Sequence, residues 1–258
     1  MIQKRSIIQI FFFVVSILLF VGIIKKVLLD VHAFCPYSIV CFGFDHFSWY
    51  IYPIMMIVGI LILISTMFLS RWFCNYICYF GILQEWLYNL FHLKNKKRFK
   101  FTMKIDNLLK KVKFIILLMT VIMSFIGVSK YMRFCPHNII ASIGNYLEKI
   151  GDVGLISFVF LFILLVLSVL IERFWCRYLC PYAALMIIFI KMADLLKIKR
   201  LKIHRNLETC IDCYKCNNNC PMQVNLLDSE YVQDAECLQC NRCQNVCPKT
   251  GTLTKKWR

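Results

Sequence analysis

The chain has 258 residues, 60% of them hydrophobic and only 17% charged, and its mean hydropathy of +0.65 lies well outside the usual range of soluble globular domains. The formal net charge is +17. The basic residues are grouped between apolar runs rather than along one helix face, which argues against a nucleic-acid partner.

Crossing a hydrocarbon core takes about 20 helical residues. Four runs approach that length without an internal charge: Ile7 to Ile24, Trp49 to Leu69, Phe114 to Val128 with its flanks, and Val153 to Ile171. They predict four transmembrane helices. The first follows Lys4 and Arg5, but it is too long for a signal-peptide core and no small-residue cleavage site follows, so it is expected to be an uncleaved anchor. Bulky Phe34 speaks against a lipoprotein site at Cys35. Arg71, Lys94, Lys96, Lys97, Arg98, Lys100 and further lysines to Lys113 lie between runs two and three. The positive-inside rule then predicts a multi-pass protein of the cytoplasmic membrane, touching its lipids, with both termini cytoplasmic.

The first 203 residues read as two parallel repeats, about 1–100 and 101–203, each of span, outer loop, span and cysteine pair. Phe34-Cys35-Pro36 corresponds to Phe134-Cys135-Pro136, and Arg71-Trp72-Phe73-Cys74 through Cys78-Tyr79 corresponds to Arg173-Phe174-Trp175-Cys176 through Cys180-Pro181. A spacing of four places Cys74 with Cys78, and Cys176 with Cys180, on one helix face each. Two such pairs supply the four thiolates of a further iron–sulfur cluster; the plainer reading is four buried structural cysteines. Cys35 and Cys135 are candidates for an outer disulfide or for simple packing, and Cys41 has no counterpart. His32, His46 and His137 read as ordinary surface histidines.

Residues 204–258 contain Cys210-x2-Cys213-x2-Cys216-x3-Cys220-Pro221 and Cys237-x2-Cys240-x2-Cys243-x3-Cys247-Pro248. This is the bacterial ferredoxin run written twice, in which the fourth cysteine of each run crosses to the other cluster. The pattern predicts one [4Fe-4S] cluster on Cys210, Cys213, Cys216 and Cys247, and a second on Cys237, Cys240, Cys243 and Cys220. Zinc sites appear as separated pairs instead, and structural disulfides are disfavoured in a reducing compartment. Thr250-Gly251-Thr252-Leu253-Thr254 follows the last cysteine as a turn into a strand and is not read as a flavin site.

With the cysteine pairs, the segment Tyr79-Phe80-Gly81-Ile82-Leu83-Gln84-Glu85-Trp86 and the two tail runs, the chain resembles the NapH-type membrane polyferredoxins, related to the cluster-binding parts of NosR-like and CcoG-like proteins. Tyr79 departs from the proline usual there. The resemblance implies an electron-transfer subunit of a quinol dehydrogenase system, rather than a stand-alone enzyme, relaying electrons between the quinol/quinone pool and another redox protein subunit. An assembly or metal-reducing factor of the CcoG kind, or a redox sensor, is the alternative. The expected architecture is an all-α membrane domain of four transmembrane helices, followed by a small α+β ferredoxin-like domain with two [4Fe-4S] clusters.

Overall fold

Apolar runs fold into helices wherever proline stays at their ends, and that rule sets most of the elements. The structure, a computed structural model, describes residues 2–21, 53–91, 100–125 and 155–258. Cys35, Cys41, Cys135, His32, His46 and His137 lie outside the described residues, so the expectations for the outer loops are not addressed. The helices are α1 (Ile2–Val21), α2 (Pro53–Leu69), α3 (Trp72–Tyr76), α4 (Tyr79–Phe91), α5 (Met103–Phe125) and α6 (Leu155–Leu170), then a π-helical turn (Trp175–Leu179) and α7 (Pro181–Leu195). Pro53 and Pro181 each occupy the first helical position, where the missing N–H costs nothing.

The tail adds strand β1 (Leu201–Arg205), short helices α8 (Lys215–Asn218) and α9 (Arg242–Val246), and strand β2 (Leu253–Trp257). The strands pair antiparallel, Leu201 opposite Trp257 and Arg205 opposite Leu253, so the cysteine-bearing loops are closed at their base. α7 packs on α2 and α5, while α4 packs on α6 and α1. One apolar core joins Leu63 of α2, Leu117 of α5 and Met186 of α7 to Ile203, Met222, Val224 and Leu238 of the tail. A second gathers Phe80, Leu161, Leu164 and Trp175.

Two expectations are corrected here. Among the described residues no helix is long and apolar enough to cross a membrane. Helices α2 and α6 have 17 and 16 residues, about 25 Å at 1.5 Å per residue, against a hydrocarbon core of about 30 Å. The longer α1 carries Gln3, Lys4 and Arg5 in its first turn, and α5 carries Lys104, Asp106, Lys110, Lys111 and Lys113 in its first half. The sequence runs extend past these helices only through residues 22–24, 49–52, 126–128, 153–154 and 171; of these, Ile171 follows the end of α6 and the others lie outside the described residues. Four transmembrane helices are therefore not supported, nor is a multi-pass location in the cell membrane with cytoplasmic termini. The described architecture is helical with a small two-stranded sheet. Several outward side chains on its helices are apolar and exposed, among them Phe11, Leu61, Leu118 and Phe162.

Candidate metal centres

In the tail, a Cys-x2-Cys-x2-Cys run must bend sharply twice to turn three thiols inward. Asp212 and Tyr214 in the first run, and Gln239 and Asn241 at the matching places in the second, have φ values of 47°, 56°, 55° and 62°. Non-glycine residues seldom adopt this left-handed region, and when they do the strain is sustained by the surrounding structure. The bends turn each loop around a cavity. One is lined by Cys210, Cys213, Cys216 and Cys247, the other by Cys220, Cys237, Cys240 and Cys243, and both are partly open to solvent. Each cavity thus brings together three cysteines of one run and the fourth of the other.

Backbone amides supply further polarity. The Val224 N–H donates to Cys220 Sγ at 3.4 Å, and N–H groups of Gln239 and Gln244 reach the thiols of Cys237 and Cys243. Burial nevertheless pushes the free thiols of Cys220 and Cys237 up to about 11 and about 12. Deprotonation in these pockets therefore calls for a cation to replace the proton. Among the described residues, no group of three or more His, Cys, Asp or Glu could hold a single metal ion. Thiols spread around a cavity instead of meeting at a point suit a cubane, where each binds a different iron, better than one zinc ion. All twelve described cysteines are free of disulfides.

The two inner pairs are built alike. Cys78 N–H donates to Phe73 O at 3.1 Å and Cys180 N–H to Trp175 O at 2.9 Å, the same five-residue closure. The carbonyls of Cys78 and Cys180 then accept the first bonds of α4 and α7, from Ile82 and Ala184. Their thiols accept from the backbone N–H groups of Gly81 and Ala183. Tyr79 stands where Pro181 stands, and the local geometry survives the exchange. Burial and the neighbouring thiols together push Cys176 up to about 11 and raise Cys78 and Cys180 as well. Cys74 and Cys176 are buried, and all four thiols lie within electrostatic reach of one another. The Gln84 amide donates to Cys176 Sγ at 3.7 Å.

Sequence reasoning passed over the charges around these pairs. Arg71 and Arg173 are completely buried. Burial works to lower the pKa of Arg71, but Glu236 and the thiolates of Cys74, Cys176 and Cys180 together raise it. Glu85 is shared by Arg5, Arg173 and Arg242, and Glu236 by Arg71 and Lys113. The available signal was the repeat itself, since Arg71 and Arg173 open the two matching segments.

These contacts fix how the tail sits. Arg71 holds Glu236, which precedes Cys237; Glu85 holds Arg242, which precedes Cys243. Arg177 donates to the carbonyl of Pro221, next to Cys220, at 3.4 Å, and Arg5 to that of Cys240 at 3.5 Å. All four cysteines of the second cavity are therefore tied to the helices, whereas Cys213 of the first cavity is exposed.

Residues 51–98 and 153–202 both match a family described as a 4Fe-4S binding domain. One family description fits both halves. Each match spans one inner cysteine pair and lies outside residues 204–258. Among curated proteins it is similar to the "Putative electron transport protein YccM" of Escherichia coli, 28% identical over 66% of this chain and 46% of that protein. It is also similar to the "Uncharacterized protein MJ0750" and "Uncharacterized protein MJ0749" of Methanocaldococcus jannaschii, at 28% and 29% identity over 66% and 67% of this chain and 66% and 60% of theirs. The chain thus spans between about half and two thirds of the length of these relatives. No solved structure matches. These likenesses support iron–sulfur electron transport, a coarser assignment than the NapH-type grouping.

Proposed function

We propose that the chain is an electron relay with three iron–sulfur centres in a row: Cys210, Cys213, Cys216 and Cys247 outermost, Cys220, Cys237, Cys240 and Cys243 in the middle, and Cys74, Cys78, Cys176 and Cys180 innermost. The observation that carries this reading is the division of the eight tail cysteines between two cavities in the interlocked ferredoxin pattern. The doubled family match over the inner pairs supports the third centre. When bound, a [4Fe-4S] cluster supplies one-electron chemistry at a potential tuned by charge, hydrogen bonding and exposure.

The protein's own residues do the rest. Left-handed turns hold the thiols around their cavities, buried amides donate to sulfur, and the arginine–carboxylate bridges keep the middle site against the inner one. Exposed Cys213, Ile211 and Tyr214 mark the face where a redox partner protein exchanges electrons. In keeping with the resemblance, the far end of the relay exchanges electrons with a quinol.

The test begins with protein purified anaerobically. About twelve iron atoms per chain support three cubanes, about eight support the tail sites alone, and zinc or no metal rejects the relay. Adding a quinol and following reduction by EPR then tests the quinol end. Clusters that dithionite reduces and quinols do not would remove the quinol from the scheme.

A further inference from the structure

The four inner cysteines are flanked by two buried arginines at equivalent places in the two halves, and the arginines are crossed. Arg71 donates through Nη2 to the carbonyl of Cys176 at 3.0 Å. Arg173 donates through Nη1 to the carbonyl of Cys74 at 2.7 Å. Each first cysteine is thus seated by the arginine of the other half. Both guanidinium groups are also gripped by carboxylates, Glu236 for Arg71 and Glu85 for Arg173. Their Nε–H groups are buried and have no hydrogen-bond partner among the described residues. Arg5, Arg177 and Arg205 share that last property, so it is the crossed seating, and the place beside four thiols, that sets Arg71 and Arg173 apart.

Among the described residues the charge balance at this point is positive. Arg5, Arg71, Lys113, Arg173 and Arg242 surround three carboxylates, Glu85, Glu172 and Glu236. Burying such an excess is unfavourable unless further negative charge is present. Four thiolates wrapped around iron would supply it, and would also offer sulfur acceptors to the idle Nε–H donors.

We infer that Arg71 and Arg173 are positioning residues of a redox centre held by Cys74, Cys78, Cys176 and Cys180, seating its first cysteines crosswise and raising its potential with their buried charge. The inference rests on the reading of these cysteines as a cluster site. A cluster held by these cysteines would become more negative by one unit on accepting an electron, and the fixed guanidinium charges of Arg71 and Arg173 would stabilise that reduced form more than the oxidised one.

The test uses the full chain, loaded anaerobically, with Arg71→Gln, Arg173→Gln and the charge-keeping Arg71→Lys and Arg173→Lys. Iron is counted, and each EPR signal is titrated against potential. In the Gln variants the inner signal should shift so that the reduced-to-oxidised ratio at the wild-type midpoint falls at least tenfold, about 59 mV for one electron. The Lys variants should recover most of the shift, and the signal of the outermost site should stay in place. Loss of about four iron atoms in the Gln variants but not in the Lys variants would equally support the inference. A wild-type chain with about twelve iron atoms, whose Gln variants keep both iron and potential, would overturn the inference alone. A wild-type chain with about eight would overturn the inner centre and the inference with it.

Discussion

Gly81 lies where two chain segments meet. A Cβ there would sit 2.9 Å from the carbonyl oxygen of Cys74 and 3.6 Å from Cys176 Sγ. The first distance is a clash with backbone, which has no rotamer to yield. Gly81→Ala should therefore destabilise the protein by about 1–3 kcal/mol and lower the iron retained at the inner pairs, as read by denaturation and iron assay. Glu85 makes a second prediction. Burial pushes its carboxyl up, but Arg173, Arg242 and Arg5 outweigh burial and hold it well below the usual carboxylate range. A depressed carboxyl contributes stability that is present above its unfolded value, near 4.5, and is lost as pH falls through the folded one. Glu85→Gln should cost about 3–5 kcal/mol at neutral pH, because it strands buried cations. The gap to wild type should narrow on acidification below that value, measured by urea denaturation across pH. The grouping of the tail cysteines around two cavities was legible in the sequence because their spacing is a local property. These ion pairs were not, because an arginine ending an apolar run looks the same whether it meets solvent or a glutamate 165 residues away, as Arg71 meets Glu236.

At the level of elements, the two tail loops repeat one backbone solution, with left-handed residues at matching places and a short helix following each. The fourth cysteine crosses over, so damage to one run should appear in the other run's cavity. Cys247→Ser should disturb the outermost site, although it belongs to the second run, and Cys220→Ser should disturb the middle one. Each should remove up to about four iron atoms, and EPR of the two variants should show different signals surviving. This crossing was legible, because the spacing alone prescribes it. The helices were legible in position but not in extent. The second and fourth apolar runs end at Leu69 and Ile171, within a residue of the ends of α2 and α6; what the runs overstated was length, since both helices are too short to cross a hydrocarbon core. The turns that follow, with Ser70 and Arg173 at positive φ, are set by long-range contacts that local propensity does not register.

For the whole molecule, one apolar core runs from α2, α5 and α7 into the tail, and within the tail it reaches Cys216 and Cys243. A segment with so little regular structure has a small core of its own, so the helices it packs on, and the clusters proposed for it, are expected to hold it. Removing iron with a chelator under reducing conditions should expose residues 206–252 to hydrogen exchange, while α4 and α7 exchange more slowly. With a formal charge of +17, a partner that docks by charge should be acidic, and its association rate should fall steeply with added salt. Arg5 donates to the carbonyl of Cys240, so α1 and the loop that bears Cys240, 235 residues apart in the chain, must both be in place before the middle cavity takes its final form, and anything that displaces α1 reaches that cavity directly.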